Sequence, residues 1–248
     1  MKISLIIPCY NEEANLQKGV LDKIGNYTKT DSRFIEVLLV DDGSTDKSPE
    51  LIGRYMKRFP KFHLVKNKHL GKAQAVITGI KVSKADHIIF SDMDLATPIE
   101  EAEKLIAPAQ KEGYSIVIGS RNNNRKGAPI LRKIMAYGSI ILRDVLIGIK
   151  GVHDTQCGFK LFERKAALKI IERLRVYRNP HTVQGSSVSA GFDIEFLFLA
   201  VKLGYKIKEV PISWRHVETK NVRFLKDSFE SLGDYIRIKY NALTGAYD

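Results

Sequence analysis

The chain has 248 residues, of which 44% are hydrophobic and 27% are charged, and its formal net charge is +12. This balance excludes disordered, collagen-like and low-complexity proteins, because it provides enough apolar side chains for a core. Only two cysteines are present, which excludes a disulfide scaffold and is typical of a reducing compartment.

Short β-branched runs alternate with helical patterns over the first 120 residues. The predicted strands are Ile3–Pro8, Glu36–Asp41, Phe62–Lys66, His87–Asp92 and Ser115–Gly119. Most are continuous apolar runs, as expected for strands that are buried on both faces. Apolar residues at helical spacing predict helices between them, over Leu16–Tyr27, Leu51–Phe59 and Ala73–Ile80. Such regular alternation predicts right-handed βαβ units, a mostly parallel sheet and an α/β fold.

The second half of the chain has a different pattern. The apolar spacing predicts helices over Ile130–Ile149, Phe192–Val201 and Val222–Tyr240 and a strand over Ile207–Ser213, with a loop over 176–190. No internal repeat or linker separates the two halves, so we expect residues 1–248 to form one domain.

The positive charge is concentrated in one stretch. Residues 121–175 hold 13 basic and 4 acidic residues, whereas residues 1–120 hold 17 and 16. A concentrated positive field attracts the phosphates of nucleic acid, anionic lipid or nucleotide, and a merely solubilising surface is the alternative. Nucleic acid is the least favoured partner, because the basic residues lack interleaved aromatic side chains and no nucleic-acid-binding motif is present.

No apolar run approaches the roughly 20 residues of a membrane-spanning helix, and the first residues show no secretory signal pattern. We therefore expect a cytoplasmic protein. The predicted helices Ile130–Ile149 and Val222–Tyr240 join an apolar face to basic side chains, as interfacial helices do. They predict peripheral binding to an anionic membrane surface, and packing in the protein core is the alternative.

Polar residues follow three of the predicted strands, where a parallel sheet binds its ligands. They are the segments Pro8–Glu12, Asp41–Asp46 and Ser91–Asp94. Residues two apart on a strand project to the same side, so Asp92 and Asp94 are expected to face one divalent cation. A helix cap is the alternative role for Asp94. No glycine-rich phosphate loop follows the first strand, which argues against dinucleotide-binding dehydrogenases and P-loop NTPases.

Four segments together resemble the inverting family 2 glycosyltransferases with the GT-A fold. They are Ser4–Glu12, Val40–Asp46, Gly71–Ala75 and Asp92–Asp94. Three later segments are similar to the dolichyl-phosphate glucosyltransferase branch, whose relatives include the dolichyl-phosphate mannose synthases. They are Asp154–Phe162, Phe192–Glu195 and Glu209–Trp214.

The resemblance implies transfer of glucose from UDP-glucose to a polyprenyl (dolichyl-type) phosphate, with inversion and with Mg²⁺ or Mn²⁺. UDP-N-acetylglucosamine or GDP-mannose as donor, and a saccharide hydroxyl as acceptor, are the alternatives. Residues 1–120 would form the nucleotide-sugar-binding half and residues 121–248 the acceptor-binding half. The enzyme would act on the cytoplasmic face of a membrane.

The resemblance also implies roles for individual residues. The nucleotide-sugar pocket would be lined by Pro8, Tyr10, Glu12, Asp42, Lys72 and Asp92. Within this set, Asp42 would accept a hydrogen bond from the uracil ring. Asp92 would contact the ribose or the metal, and Asp94 would ligate the metal that bridges the pyrophosphate.

Cations and a base complete the expected site. Phosphate groups of the acceptor or donor would be bound by Arg121, Arg132, Lys220 and Arg223. A hydroxyl acceptor needs a general base, and Asp193 is the candidate. A lipid phosphate is already anionic and needs no base, and the basic stretch favours that acceptor.

Overall fold

The computed structural model describes residues 1–121, 144, 146–149, 151–178, 190–215 and 224–248. Its strands are β1 (Ile3–Cys9), β2 (Phe34–Asp41), β3 (Phe62–Lys66), β4 (His87–Phe90), β5 (Ile116–Ser120), β6 (Lys160–Glu163) and β7 (Ile207–Pro211). Within the described ranges they form one sheet in the order β3-β2-β1-β4-β6-β5-β7. Neighbouring strands are parallel, except that β6 runs antiparallel to β4 and β5. The predicted mostly parallel α/β sheet is confirmed.

Helices cover both faces of the sheet. They are α1 (Glu13–Gln17), α2 (Val20–Thr30), α3 (Ser48–Arg58), α4 (Lys72–Val82), α5 (Ala102–Glu112), α6 (Arg164–Arg173), α7 (Ala190–Lys202) and α8 (Phe224–Leu243). The helix predicted over Leu16–Tyr27 is two helices, because Gly19 between them has φ +74°, a left-handed conformation that glycine adopts without steric penalty. The predicted helix Ile130–Ile149 lies outside the described residues, apart from Asp144 and residues 146–149.

The five inner strands are buried on both faces, as their apolar runs predict, whereas the edge strands β3 and β7 are partly exposed. In β1, Ile6 contributes to a core shared with α4, α6, α7 and α8. Its neighbours Leu5 and Ile7 contribute to a second core, shared with α2, α3 and α5. This alternation follows from the two-residue period of a strand. Among the described residues, no helix is long and apolar enough to cross a lipid bilayer.

Candidate active site

The loops that follow β1 and β2 are fastened together at the carboxyl edge of the sheet. Asn11 lies in the left-handed region, with φ +53°, which asparagine tolerates better than most residues. Its Oδ1 accepts hydrogen bonds from the backbone N–H groups of Thr45 (2.8 Å) and Asp46 (3.3 Å). Its own N–H donates to Ser44 Oγ at 3.0 Å. These contacts hold the β1 loop, and therefore the predicted site residues beside Asn11, against the β2 loop.

Asp42 organises a third loop, residues 67–71. Its side chain is buried, and Oδ1 accepts hydrogen bonds from Leu70 N (3.1 Å) and Asn67 Nδ2 (3.2 Å). Oδ2 accepts from Gly71 N at 2.7 Å and lies 3.0 Å from His69 Nδ1. Burial raises the pKa of Asp42, against the opposing effect of these hydrogen bonds. A contact with uracil, the role predicted for Asp42, requires at least one of these bonds to open.

Tyr10 lies beside the same loop. Its ring stacks on the His69 imidazole, with ring centroids 3.9 Å apart and planes 9° apart. The pair is partly exposed at the carboxyl edge of the sheet. An aromatic surface of this kind can stack with a nucleobase, because every base has a π face.

Asp92 and Asp94 lie in a turn and not in a strand. The strand β4 ends at Phe90, so the prediction that strand alternation places both carboxylates on one side is wrong. Met93 is buried and Leu95 has φ +48°, a conformation that is uncommon for leucine. The apolar Met93 extends the apolar pattern of β4 past its end, which explains the error.

Asp94 is not a helix cap either. Its Oδ1 accepts a hydrogen bond from Ala96 N at 3.0 Å, which closes a local turn. The helical segment that follows begins only at Ile99, with Pro98 in the capping position. The alternative role for Asp94, as a cap, is therefore not supported.

Three carboxylates beyond β1 and β4 lie near enough to repel one another electrostatically. Burial raises the pKa of Glu12, and the negative charges of Asp94 and Asp92 raise it further. Burial also raises the pKa of Asp94, and the charge of Asp92 adds to that effect. Crowded carboxylates of this kind favour binding of a cation.

Lys72 supplies one positive charge to this cluster. It is the first residue of α4, and its Nζ lies 2.5 Å from Asp92 Oδ1. Burial would lower the pKa of Lys72, but the carboxylates of Asp92, Asp193 and Asp94 outweigh burial and raise it. Lys72 is therefore an ammonium ion that faces the predicted nucleotide site.

The cluster fits a metal that is only partly held by the protein. No group of three or more His, Cys, Asp or Glu side chains that could hold a metal occurs in the described part of the chain. However, Mg²⁺ is usually held by one or two carboxylates together with substrate phosphates. Asp92 and Asp94 fit that pattern, because they are close neighbours in an electronegative site.

Asp193, the candidate general base, is held in an ion pair. Its Oδ1 accepts a hydrogen bond from Lys160 Nζ at 2.6 Å. Lys160 is 1% exposed and also donates to the carbonyl of Cys157 at 2.5 Å. We did not predict a role for Lys160 from the sequence. The available signal was a lysine inside the otherwise apolar run Phe159–Phe162.

Arg121, predicted to bind phosphate, has a protein partner. Its Nε and Nη2 donate to the two oxygens of Asp154, each at 2.7 Å, and its backbone N–H donates to Oδ2 at 2.9 Å. Burial alone would raise the pKa of Asp154, but the hydrogen bonds from Arg121 outweigh it and lower that pKa. In this arrangement the pair fastens the end of β5 to the loop around Asp154, and the charge of Arg121 is neutralised.

The predicted site residues therefore fall into three groups. Those at one carboxyl edge of the sheet are Pro8, Tyr10, Glu12, Asp42, Lys72, Asp92, Asp94 and Asp193. Arg121 follows β5 at the same edge, because β4 and β5 both run antiparallel to β6, but its side chain is paired with Asp154. The predicted phosphate-binding residues Arg132, Lys220 and Arg223 lie outside the described residues.

Comparison with known proteins agrees with this geometry. The sequence model of "Glycosyl transferase family 2" matches residues 4–171. The chain belongs to this family. It is a glycosyltransferase, and the resemblance identified from the motifs is confirmed.

Curated relatives extend the match over nearly the whole chain. The dolichyl-phosphate beta-glucosyltransferase of Dictyostelium discoideum is 32% identical over an alignment that covers 99% of this chain and 76% of that protein. The human protein of the same name is 33% identical over an alignment that covers 99% of this chain and 77% of the human protein.

Solved structures support the fold. Glucosyl-3-phosphoglycerate synthase from Mycobacterium tuberculosis, crystallised with UDP, aligns with a TM-score of 0.69 and 18% identity over 96% of this chain and 80% of that one. The same enzyme crystallised with Mn²⁺, UDP-glucose and phosphoglyceric acid aligns with a TM-score of 0.68 and 17% identity, over 96% of this chain and 79% of that one. The predicted GT-A fold is confirmed.

Proposed function

We propose that this glycosyltransferase transfers glucose from UDP-glucose to a polyprenyl phosphate, with inversion at the anomeric carbon. The observation that carries the proposal is the match over 99% of the chain to proteins named dolichyl-phosphate beta-glucosyltransferase. The carboxylate cluster with Lys72, at the edge where a parallel sheet binds ligands, is consistent with this reaction.

The donor would bind across the ends of β1, β2 and β4. Tyr10 offers an aromatic surface for the base, and Asp42 lies in the adjacent loop. Asp92 and Asp94 would hold Mg²⁺ or Mn²⁺, which would neutralise the charge that develops on the departing diphosphate. The synthase from M. tuberculosis has been crystallised with either metal and UDP.

The transfer exchanges one bond for another at the anomeric carbon. A phosphate oxygen of the acceptor forms the new carbon–oxygen bond as the bond to the β-phosphate of UDP breaks, and UDP leaves with the electron pair. The attacking oxygen is already anionic, so no proton is removed. Lys72 lies beside Asp92, where its ammonium group would balance charge on the phosphates as they react.

The state of Asp193 favours the phosphate acceptor over a saccharide. A sugar hydroxyl would need a base that accepts its proton. The Asp193 carboxylate instead accepts a hydrogen bond from the buried Lys160 ammonium. This pairing suits a residue that positions charge better than one that moves a proton.

Not every basic residue of the stretch 121–175 is available to bind an anionic acceptor. The described cations that contact protein partners are Arg121, Lys160, Arg164 and Arg175. Lys165, Lys169 and Arg173 are exposed on α6. The field of the stretch would therefore come from α6 and from basic residues outside the described ranges.

An assay with a donor panel tests the proposed function. The protein is incubated with Mg²⁺ or Mn²⁺, polyprenyl phosphate and labelled UDP-glucose, UDP-N-acetylglucosamine or GDP-mannose. We expect label in the lipid fraction from UDP-glucose, with a kcat/KM at least about tenfold above the other donors, a difference of about 1.4 kcal/mol. A preference for either other donor would replace the proposed sugar.

We also propose that α8 contacts an anionic membrane surface. Ile236, Tyr240 and Leu243 form one stripe on this helix and are 57%, 66% and 76% exposed. Arg237 lies beside the stripe, with its side chain 72% exposed. An apolar stripe with a flanking cation matches the chemistry of an anionic lipid interface.

Vesicle binding tests the membrane contact. Replacing Tyr240 and Leu243 by serine should weaken binding to vesicles that contain phosphatidylserine by about tenfold or more, because two large apolar side chains are removed from the interface. Val82→Ser is the matched control, since Val82 is 46% exposed on another helix. Equal binding by all three proteins, or equal binding to neutral vesicles, would contradict the proposal.

A further inference from the structure

Residues 157–160 form a backing segment behind the carboxylates of the site. Its last residue, Lys160, begins β6 and pairs with Phe90 of β4 on one side and with Ile118 of β5 on the other. Phe90 lies two residues before Asp92. The sheet therefore fixes the position of the backing segment relative to the Asp92 turn.

Gly158 lies directly against Asp92. A Cβ atom on Gly158 would be 2.1 Å from Asp92 Oδ2 and 2.6 Å from its Cγ, far inside the contact distance of these atoms. Gly158 is not among the glycines with positive φ. A side chain at this position would therefore displace the Asp92 carboxylate, although the backbone conformation itself would allow one.

Lys160 holds the other carboxylate from the same side. Its Nζ lies 2.6 Å from Asp193 Oδ1 and 2.5 Å from the Cys157 carbonyl, and 5.0 Å from the centre of the Phe90 ring. A lysine that is 1% exposed is costly to bury unless it is paired. The ion pair therefore connects the backing segment to the first turn of α7.

Lys72 contacts Asp92 and lines one cavity together with Asp193. Its Nζ is 2.5 Å from Asp92 Oδ1, and the charge of Asp193 also acts on it. Displacement of either carboxylate would therefore change the field that orients the Lys72 ammonium group.

We propose that Gly158 and Lys160 are positioning residues that set the places of Asp92 and Asp193 around Lys72. Gly158 acts by leaving room for the Asp92 carboxylate, and Lys160 acts through its ion pair with Asp193. The proposal rests on the proposed function, in which Asp92 and Lys72 meet the donor diphosphate.

Measurements of UDP binding, kcat and Tm distinguish a positioning role from a role in stabilising the fold alone. Gly158→Ala should weaken Mn²⁺-dependent UDP binding, measured by calorimetry, by about tenfold or more, because the added methyl group displaces Asp92. Lys160→Met should lower kcat by about tenfold and lower Tm, because it leaves Asp193 without its partner. Lys208→Met is the matched control, since Lys208 also pairs with a carboxylate, at 3.3 Å, and lies 5.3 Å from an aromatic ring centre, but at the surface. This variant should leave UDP binding, kcat and Tm unchanged.

A double variant supplies the decisive comparison. Combining Lys160→Met with Asp193→Leu removes both charges and should restore Tm, because apolar pairs often replace buried ion pairs without loss of stability. We expect kcat to stay low. Recovery of kcat together with Tm, or unchanged UDP binding in Gly158→Ala, would overturn the proposal. If the wild type binds UDP but transfers no glucose, the proposed function fails, and the UDP affinity of Gly158→Ala still decides this inference.

Discussion

Replacing Asp193 by asparagine distinguishes a general base from a charge-positioning residue. Asparagine has the same shape and keeps an oxygen that can accept the 2.6 Å hydrogen bond from Lys160. The substitution thus removes the charge but keeps the contact. It also leaves the buried Lys160 ammonium without its counter-ion. Removing one partner of a buried ion pair costs about 3–5 kcal/mol, and the retained hydrogen bond places this variant at the lower end, about 3 kcal/mol.

This estimate sets the expected loss of stability, whereas the expected loss of rate depends on whether a proton transfer is removed. A loss of about 3 kcal/mol should lower Tm by about 6–12 °C in a chain of this length, and kcat should fall by no more than about tenfold, because no proton transfer is removed. Loss of a general base would instead lower kcat by about 10²–10⁴-fold.

The assay is kcat against pH with UDP-glucose and polyprenyl phosphate, for wild type and variant. Asp31→Asn is the control, because Asp31 pairs with Arg33 at 2.7 Å before β2, at the opposite edge of the sheet. We expect the variant to keep the shape of the wild-type profile. A fall of about 100-fold or more, with loss of the acidic limb and with donor and acceptor binding intact, would refute the reasoning.

Three further substitutions test the rest of the site. Asp94→Asn should abolish detectable transfer while Tm stays within a few degrees, because the lost charge weakens metal binding; activity within a few-fold of wild type at saturating Mg²⁺ or Mn²⁺ would contradict this role. Asp42→Ala should raise the donor KM more than it changes kcat, since a contact with the uracil ring stabilises ground and transition states alike. It should also lower Tm, since the backbone N–H groups of Leu70 and Gly71 lose their acceptor. Unchanged UDP affinity in a thermal shift would assign Asp42 to the fold alone. Arg121→Met should lower the free energy of unfolding by about 3 kcal/mol at neutral pH, the lower end for a broken buried pair, because the Arg121 side chain is 23% exposed. The native pKa of Asp154 is depressed, so the stabilisation from this pair is present above the unfolded pKa of about 3.9 and is lost as pH falls through the native value. Denaturant unfolding measures this at neutral and acid pH. The difference in the free energy of unfolding between wild type and variant should shrink at low pH, and a difference that does not depend on pH would contradict a stabilising role for the pair.

Local patterns were sufficient to predict much of the sheet and the carboxylate edge. Apolar runs predict β1 and β2 closely, because a strand buried on both faces carries its signal in adjacent residues. The edge strand β3 is predicted at its observed bounds, although only Phe62 in it is buried. Glu12, Asp92 and Asp94 follow such runs directly. Parallel topology then brings them to one edge, so their proximity could be inferred without knowledge of distant contacts.

Contacts between distant segments could not be predicted in this way. The strand β6 is short and contains Lys160 and Glu163, so its pattern differs from that of the parallel strands, and its antiparallel pairing depends on segments far away in sequence. Arg121 and Asp154 are 33 residues apart, as are Lys160 and Asp193. Nothing in the local pattern of a charged residue shows which partner neutralises it, so the sequence alone assigns Arg121 to phosphate binding and Asp193 to the role of base for a hydroxyl acceptor.

The chemical nature of the acceptor group is the central claim, and one comparison tests it most directly. The protein is given UDP-glucose, Mg²⁺ or Mn²⁺, and either a polyprenyl phosphate or the polyprenol of the same chain length, which presents a hydroxyl in place of the phosphate. We predict a glucosylated lipid phosphate in the β configuration and no glucosylated polyprenol. Glucosylation of the free alcohol at a comparable rate, or of a saccharide in preference to the lipid phosphate, would contradict the account.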